Sequence, residues 1–397
     1  MTFQYRFAIQ TLVVTLSLTA AVAAGAQDST LVDDALYDRP FIRTLSNTSI
    51  GGYLEGNTNY FVEDGISDGF SMEFRRFNIF LFAPISRRIN FISELEFEHG
   101  TEEIALETAL IDFRVNPAFV VRLGILLPPV GMFNQNHDSP LWEFVERPLV
   151  STQIIPSTLS EIGFGANGAL FLVPFTLTYD LYLTNGLGDG VVSNAEGRTF
   201  LPAGKRANQF EGDNNGSPAV SGRVAARHSV GEIGFSFYTG LYNTFRVEGD
   251  LVDEKRRVTI AAVDYASDVG DVVALKGEAA YAFIDVPAGL TEISGDRQWG
   301  AFLDAIVAIW RPGLESYEDA VLNAGLRIEA VDYNAGTFRS TGRRIYDEIF
   351  ALVPGISFRP SPNTVFRANY RRHWVRDLVG NPAAKTGGIQ VGFASYF

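Results

Sequence analysis

Residues 389–397 read Ile-Gln-Val-Gly-Phe-Ala-Ser-Tyr-Phe. Ile389, Val391, Phe393 and Phe397 fall on one face, broken only by Ser395, while Gln390, Gly392, Ala394 and Tyr396 take the other. A period of two means a strand with one apolar and one wet side. Left as an open sheet edge, such a strand is an aggregation hazard. Pairing with the first strand of the same sheet removes the edge, which makes the expected fold all-β, a closed transmembrane antiparallel β-barrel.

The start of the chain suits that reading. Arg6 precedes an uncharged run from Phe7 to Gly25 that ends in Ala24-Gly25-Ala26, the pattern of a signal peptide over residues 1–26, cleaved before Gln27. A transmembrane anchor is the alternative for this run, but small residues at its end without a charged stop favour cleavage. No later apolar run reaches the roughly eighteen residues of a helical span, so membrane entry has to be by strands. The terminal Phe behind alternating apolar residues resembles the closing strand of bacterial outer-membrane barrels, where it also acts as an assembly signal. The expected location is the bacterial outer membrane, with outer-membrane lipid as the surrounding partner.

Composition bears on what the barrel can do. Hydrophobic residues make up 46% of the chain, with 38 Gly, 31 Phe and 15 Tyr beside 3 Met, a mixture suited to turns, strands and interfacial aromatic girdles. The absence of Cys excludes disulfides and thiolate metal sites. A net charge of −14, more acidic by one once Arg6 is removed, argues against a nucleic-acid partner.

After a polar periplasmic lead-in, Gln27 to Thr48, the barrel is expected over residues 49–397. Strands are expected at Ser49–Phe61, Phe70–Ala83, Phe91–Glu98, Ile104–Val115, Phe119–Leu127, Glu161–Phe171, Phe175–Thr184, Ala219–Val230, Glu232–Phe245, Arg257–Ser267, Val272–Asp285, Arg297–Trp310, Ala320–Tyr333, Ile345–Arg359, Thr364–Arg376 and Thr386–Phe397. The total is about 16, and short and long connections alternate, as in outer-membrane barrels. Pro128 to Ser160 is too long and too rich in proline for a hairpin; Asn185 to Pro218, rich in Gly, Asn and Asp, reads as an exposed loop.

Residues 119–149, FVVRLGILLPPVGMFNQNHDSPLWEFVERPL, carry a family resemblance. Gly124, Pro129, Gly131 and Glu146-Arg147-Pro148-Leu149 resemble the phosphate-selective porin O and P family, in which a strand-ending glycine, a proline-glycine turn and an acidic-Arg-Pro-Leu loop recur. The Arg75-Arg76 pair and the strand and turn from Ala109 to Pro117 are similar too. The resemblance implies a homotrimeric channel of about sixteen strands, with a loop at about 128–160 folded inward and basic residues along an anion path. Family members usually carry lysines where this chain has Ile125, Leu126 and Leu127.

Strand parity selects Arg76, Arg122, Arg223, Arg227, Lys276, Arg327, Arg367 and Arg371 as inward-facing basic residues, opposite lumenal Glu94, Glu96, Glu98, Glu107 and Glu329. They form either a basic ladder for anions or a set of wall ion pairs, and the second is the more ordinary state of a polar lumen. In the long loop Leu141, Trp142, Phe144 and Val145 form a cluster too apolar to stay in water. Folding it inward makes Trp142, Glu143, Glu146 and Arg147 the constriction candidates, with Gly163, Gly165 and Gly168 leaving room for it.

Other chemistry is thin. Gly163, Gly165 and Gly168 match a dinucleotide fingerprint, but no helix pattern follows. Glu211, Asp213, Asn215 and Gly216 space like half a calcium loop whose twelfth position is Gly222, so neither a metal nor a cofactor is expected. His137-Asp138 and His228-Ser229 are the available pairs for an enzyme, and none is expected. The reading is a porin for passive diffusion of small hydrophilic solutes, phosphate-like anions among them. The alternatives are a general or cation-preferring porin, or a structural barrel that displays surface loops.

Overall fold

The computed structural model describes residue 39 and residues 48–206 and 208–397. The expected signal peptide and lead-in lie outside the described residues, apart from Arg39 and Thr48. The wall is built from β1 (Ser49–Glu63), β2 (Phe70–Ser86), β3 (Ile89–Glu98), β4 (Glu103–Asn116), β5 (Phe119–Leu126), β6 (Glu161–Leu172), β7 (Phe175–Thr184), β8 (Ala219–His228) and β9 (Gly231–Leu241), then, after a small hairpin of β10 (Arg246–Val247) and β11 (Asp250–Leu251), β12 (Arg257–Val269), β13 (Val273–Ile284), β14 (Arg297–Trp310), β15 (Val321–Asp332), β16 (Glu348–Ser361), β17 (Thr364–Arg376) and β18 (Ala384–Tyr396). Leaving out that hairpin, 16 strands close into one antiparallel barrel. The closing pair is β1 with β18, from Tyr53 opposite Tyr396 to Glu63 opposite Thr386.

Alternation explains the wall. Ile389, Val391 and Phe393 on β18, Phe366 and Tyr370 on β17, and Leu326 and Ile328 on β15 are all exposed on the outside. Their neighbours Gln390, Arg367, Asn369, Arg327 and Glu329 are buried inside. An apolar outer belt around a polar inner face is stable only with hydrocarbon outside. The connections at 87–88, 117–118, 173–174, 229–230 and 362–363 are short and share one end with the starts of β1 and the finish of β18, while 127–160, 185–218 and 333–347 belong to the other end.

Most strand limits lie within two residues of the sequence expectation; β2 runs on to Ser86, past the expected Ala83, and two larger differences have local reasons. β9 stops at Leu241 because Asn243 closes the next loop, accepting from Arg256 N–H at 2.8 Å and donating to Glu254 O at 2.8 Å. β16 starts at Glu348 because Asp347 has φ 71°, which breaks extended backbone.

Among the register shifts of the wall, two insert a charged residue that reaches the lumen. Glu55 pairs with Arg76 and Gly56 with Phe74, so Arg75 is an extra residue in β2. Glu94 pairs with Thr108 and Leu95 with Leu106, so Glu107 is an extra residue in β4. A bulge re-aims the side chain it inserts. Arg75 therefore reaches a lumenal partner that strict alternation would deny it, and Glu107 keeps the lumenal place expected of it.

The lumen holds protein. Val130, Val150, Ile154, Ile155 and Leu159 of the long loop pack with Leu187, Val191 and Leu201 against Tyr238, Ile260, Ala282, Phe302 and Val331 of the wall. Residues 185–218 thus depart in part from the exposed loop expected of them: Leu187, Val191 and Leu201 are buried, while stretches such as 195–197 and 210–213 stay exposed.

Candidate constriction of the lumen

The 127–160 segment is bound to the wall by polar groups at its backbone and by apolar groups at its side chains. Gly131, at φ 66°, turns the chain so closely past the wall that an added Cβ would sit 2.4 Å from Glu278 Oε2; only glycine combines that backbone with that approach. Its N–H donates to Ser236 Oγ at 2.8 Å, and the next N–H, of Met132, donates to Glu278 Oε2 at 2.7 Å. Farther on, a short 3-10 turn, Ser139–Leu141, carries Pro140 at its second position, where a missing N–H costs nothing.

Beyond this turn the wall arginines take the loop's carbonyls. Arg367 donates to Ser139 O at 3.1 Å and to Phe144 O at 2.9 Å. Arg359 donates to Pro140 O at 2.8 Å, and Arg327 to Glu146 O at 2.7 Å. In the opposite sense, Asn369 Oδ1 accepts from Val145 N–H at 3.0 Å and Glu329 from Leu149 N–H at 2.7 Å. Buried backbone groups have to be paired, and here lumenal side chains supply the pairing.

The four constriction candidates lie within this segment. Trp142 is buried against Phe133, ring centroids 4.5 Å apart, with the Lys276 ammonium 5.2 Å from its ring. Glu143 accepts from Arg359 Nε at 2.6 Å and also from Ser357 Oγ. Glu146 accepts from the bulged Arg75 at 2.8 Å and from Gln390 at 3.0 Å. Arg147 donates to Thr158 Oγ1 at 3.2 Å. Leu141, in contrast, stays 43% exposed, so the apolar cluster buries only Trp142, Phe144 and Val145.

The glycines that admit the loop are not those the sequence singles out. Added Cβ atoms at Gly163, Gly165 and Gly168 would meet Leu183 O at 2.1 Å, Leu181 O at 2.2 Å and Ala118 O at 2.2 Å. These three make room for neighbouring wall backbone. The loop's side chains rest on other glycines: a Cβ at Gly325 would lie 2.9 Å from Phe144 Cζ, and one at Gly300 3.1 Å from Val150 Cβ.

The basic residues on the inner face are heavily paired. Arg76 reaches Glu55 at 3.1 Å, Glu96 at 3.0 Å and Glu98 at 2.6 Å. Arg122 is held by Asp112 at 2.8 Å, Arg327 by Asp304 at 2.7 Å and Arg371 by Glu329 at 2.8 Å. Arg227 pairs with Glu232 at 2.7 Å, Arg223 binds Glu232 at 2.7 Å and also Asp264, and Arg367 lies 3.4 Å from Glu55. Geometry thus makes the inner face a lattice of ion pairs, with Lys276 over an aromatic ring.

One cluster was not legible in advance. His137 lies fully buried with Nε2 3.0 Å from Glu107 and Nδ1 3.0 Å from Asn134 O. Arg39 bridges Glu94 at 2.7 Å and Asp138 at 3.1 Å, and its guanidinium lies 3.5 Å from the Phe80 ring centroid. Glu94, His137 and Asp138 bring ligand-type atoms within 4.8 Å of one another, but a guanidinium already fills the cation's place. Asp138 also accepts from Tyr396 Oη at 2.8 Å. Of the other sequence candidates, Gly222 sits within β8 with Phe237 2.9 Å from its would-be Cβ, and His228 and Ser229 hydrogen-bond at 3.3 Å beside a short turn.

Arg359, Asn369 and Glu278 were missed because parity lists basic groups and acids without knowing where a loop will lie. Arg75 was missed as a lumenal contact because its parity is wrong until the bulge is counted.

No protein-family model matches the chain. An uncharacterized protein of Aquifex aeolicus (strain VF5) is 34% identical over 146 residues, 35% of this chain and 32% of that protein; the match spans about a third of the relative's length. Among solved structures, the outer membrane channel DcaP of Acinetobacter baumannii superposes with a TM-score of 0.58 at 13% identity, over 88% of this chain and 97% of that one. The anion-selective porin from Comamonas acidovorans gives 0.55 at 12% identity, over 88% and 99%. OprB of Pseudomonas putida gives 0.54 at 9%, over 88% and 94%. The chain therefore has the fold of the outer-membrane porins, a closed antiparallel barrel of 16 strands.

Proposed function

We propose that this barrel is a bacterial outer-membrane porin, made with a signal peptide over residues 1–26, that lets small hydrophilic solutes diffuse through its lumen, phosphate-like anions among them. The observation that carries the reading is the 127–160 loop, pinned to the inner wall by Arg327, Arg359 and Arg367. A loop held that firmly sets a fixed aperture, and charges fixed at an aperture act strongly on passing ions. Glu143, Glu146 and Arg147 are the charges we assign to that role. A homotrimer, as the porin O and P resemblance implies, belongs to the same proposal.

A general or cation-preferring porin is the second reading, favoured by the pairing of the wall arginines with acids and by the net charge of −14. Reversal potential in a salt gradient across a planar bilayer separates the two. Deleting Ser139 to Glu146 raises single-channel conductance on this reading, and Arg147→Glu moves the reversal potential toward cations. Parent-like currents from both variants would remove the loop from the conduction path. A barrel that never conducts would leave only the structural, loop-displaying alternative.

A further inference from the structure

The outer wall carries a feature that solute passage does not use. On β17 the outward row runs Phe366, Tyr370, Arg372, Trp374, Arg376 toward the long-loop end, and on β18 it runs Phe393, Val391, Ile389, Gly387, Lys385 toward the same end. In register, Tyr370 lies opposite Ile389, Arg372 opposite Gly387 and Trp374 opposite Lys385. Cations on a hydrocarbon-facing wall are costly unless they sit at its edge and meet an anion.

Their surroundings define a seat. The missing side chain at Gly387 leaves a place that Tyr370 Oη and Arg372 Nη1 overhang, 2.5 Å and 2.9 Å from where a Cβ would be. Around it lies a cleft of about 440 Å³ whose lining includes Tyr60, Asp64, Tyr370, Arg372, Lys385 and Ile389, apolar below, with two cations and one carboxylate above. Arg376, two pleat repeats beyond Arg372, pairs with Glu348 at 3.0 Å, a carboxylate it shares with Arg344. Among the described residues neither the Arg372 guanidinium nor the Lys385 ammonium has a carboxylate within salt-bridge reach; the nearby Asp64 carboxylate accepts the Lys385 backbone N–H at 3.1 Å. Arg372 lies 5.6 Å from the Trp374 ring centroid, and Trp374 packs on Phe350 at 5.7 Å, an aromatic band at the level where headgroups begin.

We propose that this cleft seats a membrane lipid of the leaflet at the long-loop end, the lipid's phosphate held by Arg372, Lys385 and the Tyr370 hydroxyl and an acyl chain lying along Ile389 and Tyr60. The proposal rests on the barrel being membrane-embedded and is independent of what passes through it. Two cations outside any salt bridge, with a single carboxylate in the same cleft, leave a net positive charge beside a hydroxyl, which one phosphate group matches. The neighbouring apolar wall selects a phosphate that carries chains.

The test uses the full-length barrel purified in dodecyl maltoside and titrated with a phosphorylated glycolipid of the lipid A type, with retention read by native mass spectrometry. The arms are the same glycolipid without phosphate, free inorganic phosphate as competitor, and the Arg372→Gln/Lys385→Gln double variant. The parent should retain the phosphorylated lipid, and the double variant should lose about thirtyfold in apparent affinity, as expected for two surface cations. Heat-modifiable mobility checks that the variant is folded, and conductance on the same preparation reports separately on the channel reading. Equal retention by parent and folded variant, or equal retention of the phosphate-free lipid, would overturn the proposal. Full displacement by inorganic phosphate would do so too, because the chains would then contribute nothing.

Discussion

Arg359 Nε donates to Glu143 Oε1 at 2.6 Å, joining two residues 216 positions apart, one on the last turn of β16 and one at the tip of the inserted loop. Neither side chain is wholly buried, at 13% and 15% exposure, so the pair is worth more than a surface bridge and less than a dry one. Arg359→Ala should cost about 1–3 kcal/mol and increase open-channel current noise as the tip loosens. Adding Glu143→Gln should cost little more, which a double-mutant cycle on thermal unfolding measures. Independent, additive losses would mean that the pair does not hold the loop.

Phe144 rests on Gly325 with no room for a side chain between them. Gly325→Val should lift the loop from the wall and change conductance. Phe144→Ala in the same chain should restore parent-like current noise by returning the space, although the core would still lose about 3–5 kcal/mol from the missing ring. Failure of the second change to suppress the first would place the effect in the β15 backbone.

His137 belongs to the loop, outside the spanning strands, and faces Glu107, Glu94 and the Asn134 carbonyl, with Asp138 and Arg39 beside it. Burial opposes its charge, but the two carboxylates outweigh burial and raise its pKa from 6.5 to about 10. A raised pKa adds stability that is complete below 6.5 and lost as pH climbs through 10. Thermal unfolding in detergent should therefore weaken from pH 7 to pH 10 by more in the parent than in His137→Gln. Parallel curves over that window would contradict a charged imidazole.

Phe397 stacks on Phe77 at 5.6 Å, and its N–H donates to Gly52 O at 3.0 Å. Phe397→Ala keeps the backbone bond and loses the ring contact, for about 1 kcal/mol and a lower yield of heat-modifiable barrel. Phe397→Tyr should recover most of it. A normal yield from the alanine variant would confine the ring to a passive part in the seam.

The wall was legible in the chain because alternation is a local signal, repeated in every strand from Ser49 onward. Closure of β18 on β1 followed from the same pattern, since an apolar strand needs a partner on both sides. The site was legible only in composition. Trp142, Phe144 and Val145 announce a segment that avoids water, yet nothing local tells that Gly325 and Gly300 rather than Gly163 will receive it. Arg75 was hidden for a different reason: a bulge moves one residue across the wall and leaves no mark in a period of two.

The loop's partners also fix when it can seat against the wall. Its backbone is held by Arg327, Arg359, Arg367 and Asn369, which follow it in the chain by between 181 and 228 positions. Contacts of such separation form late, after the intervening chain has been ordered. A growing sheet that has reached only β13 has the loop and none of those anchors. On the proposed channel reading, the lumen therefore reaches its final width only when the last strands are in place, and a barrel stalled short of closure should leak as a wide, loosely gated hole, visible as large unsteady currents when β16–β18 are supplied late.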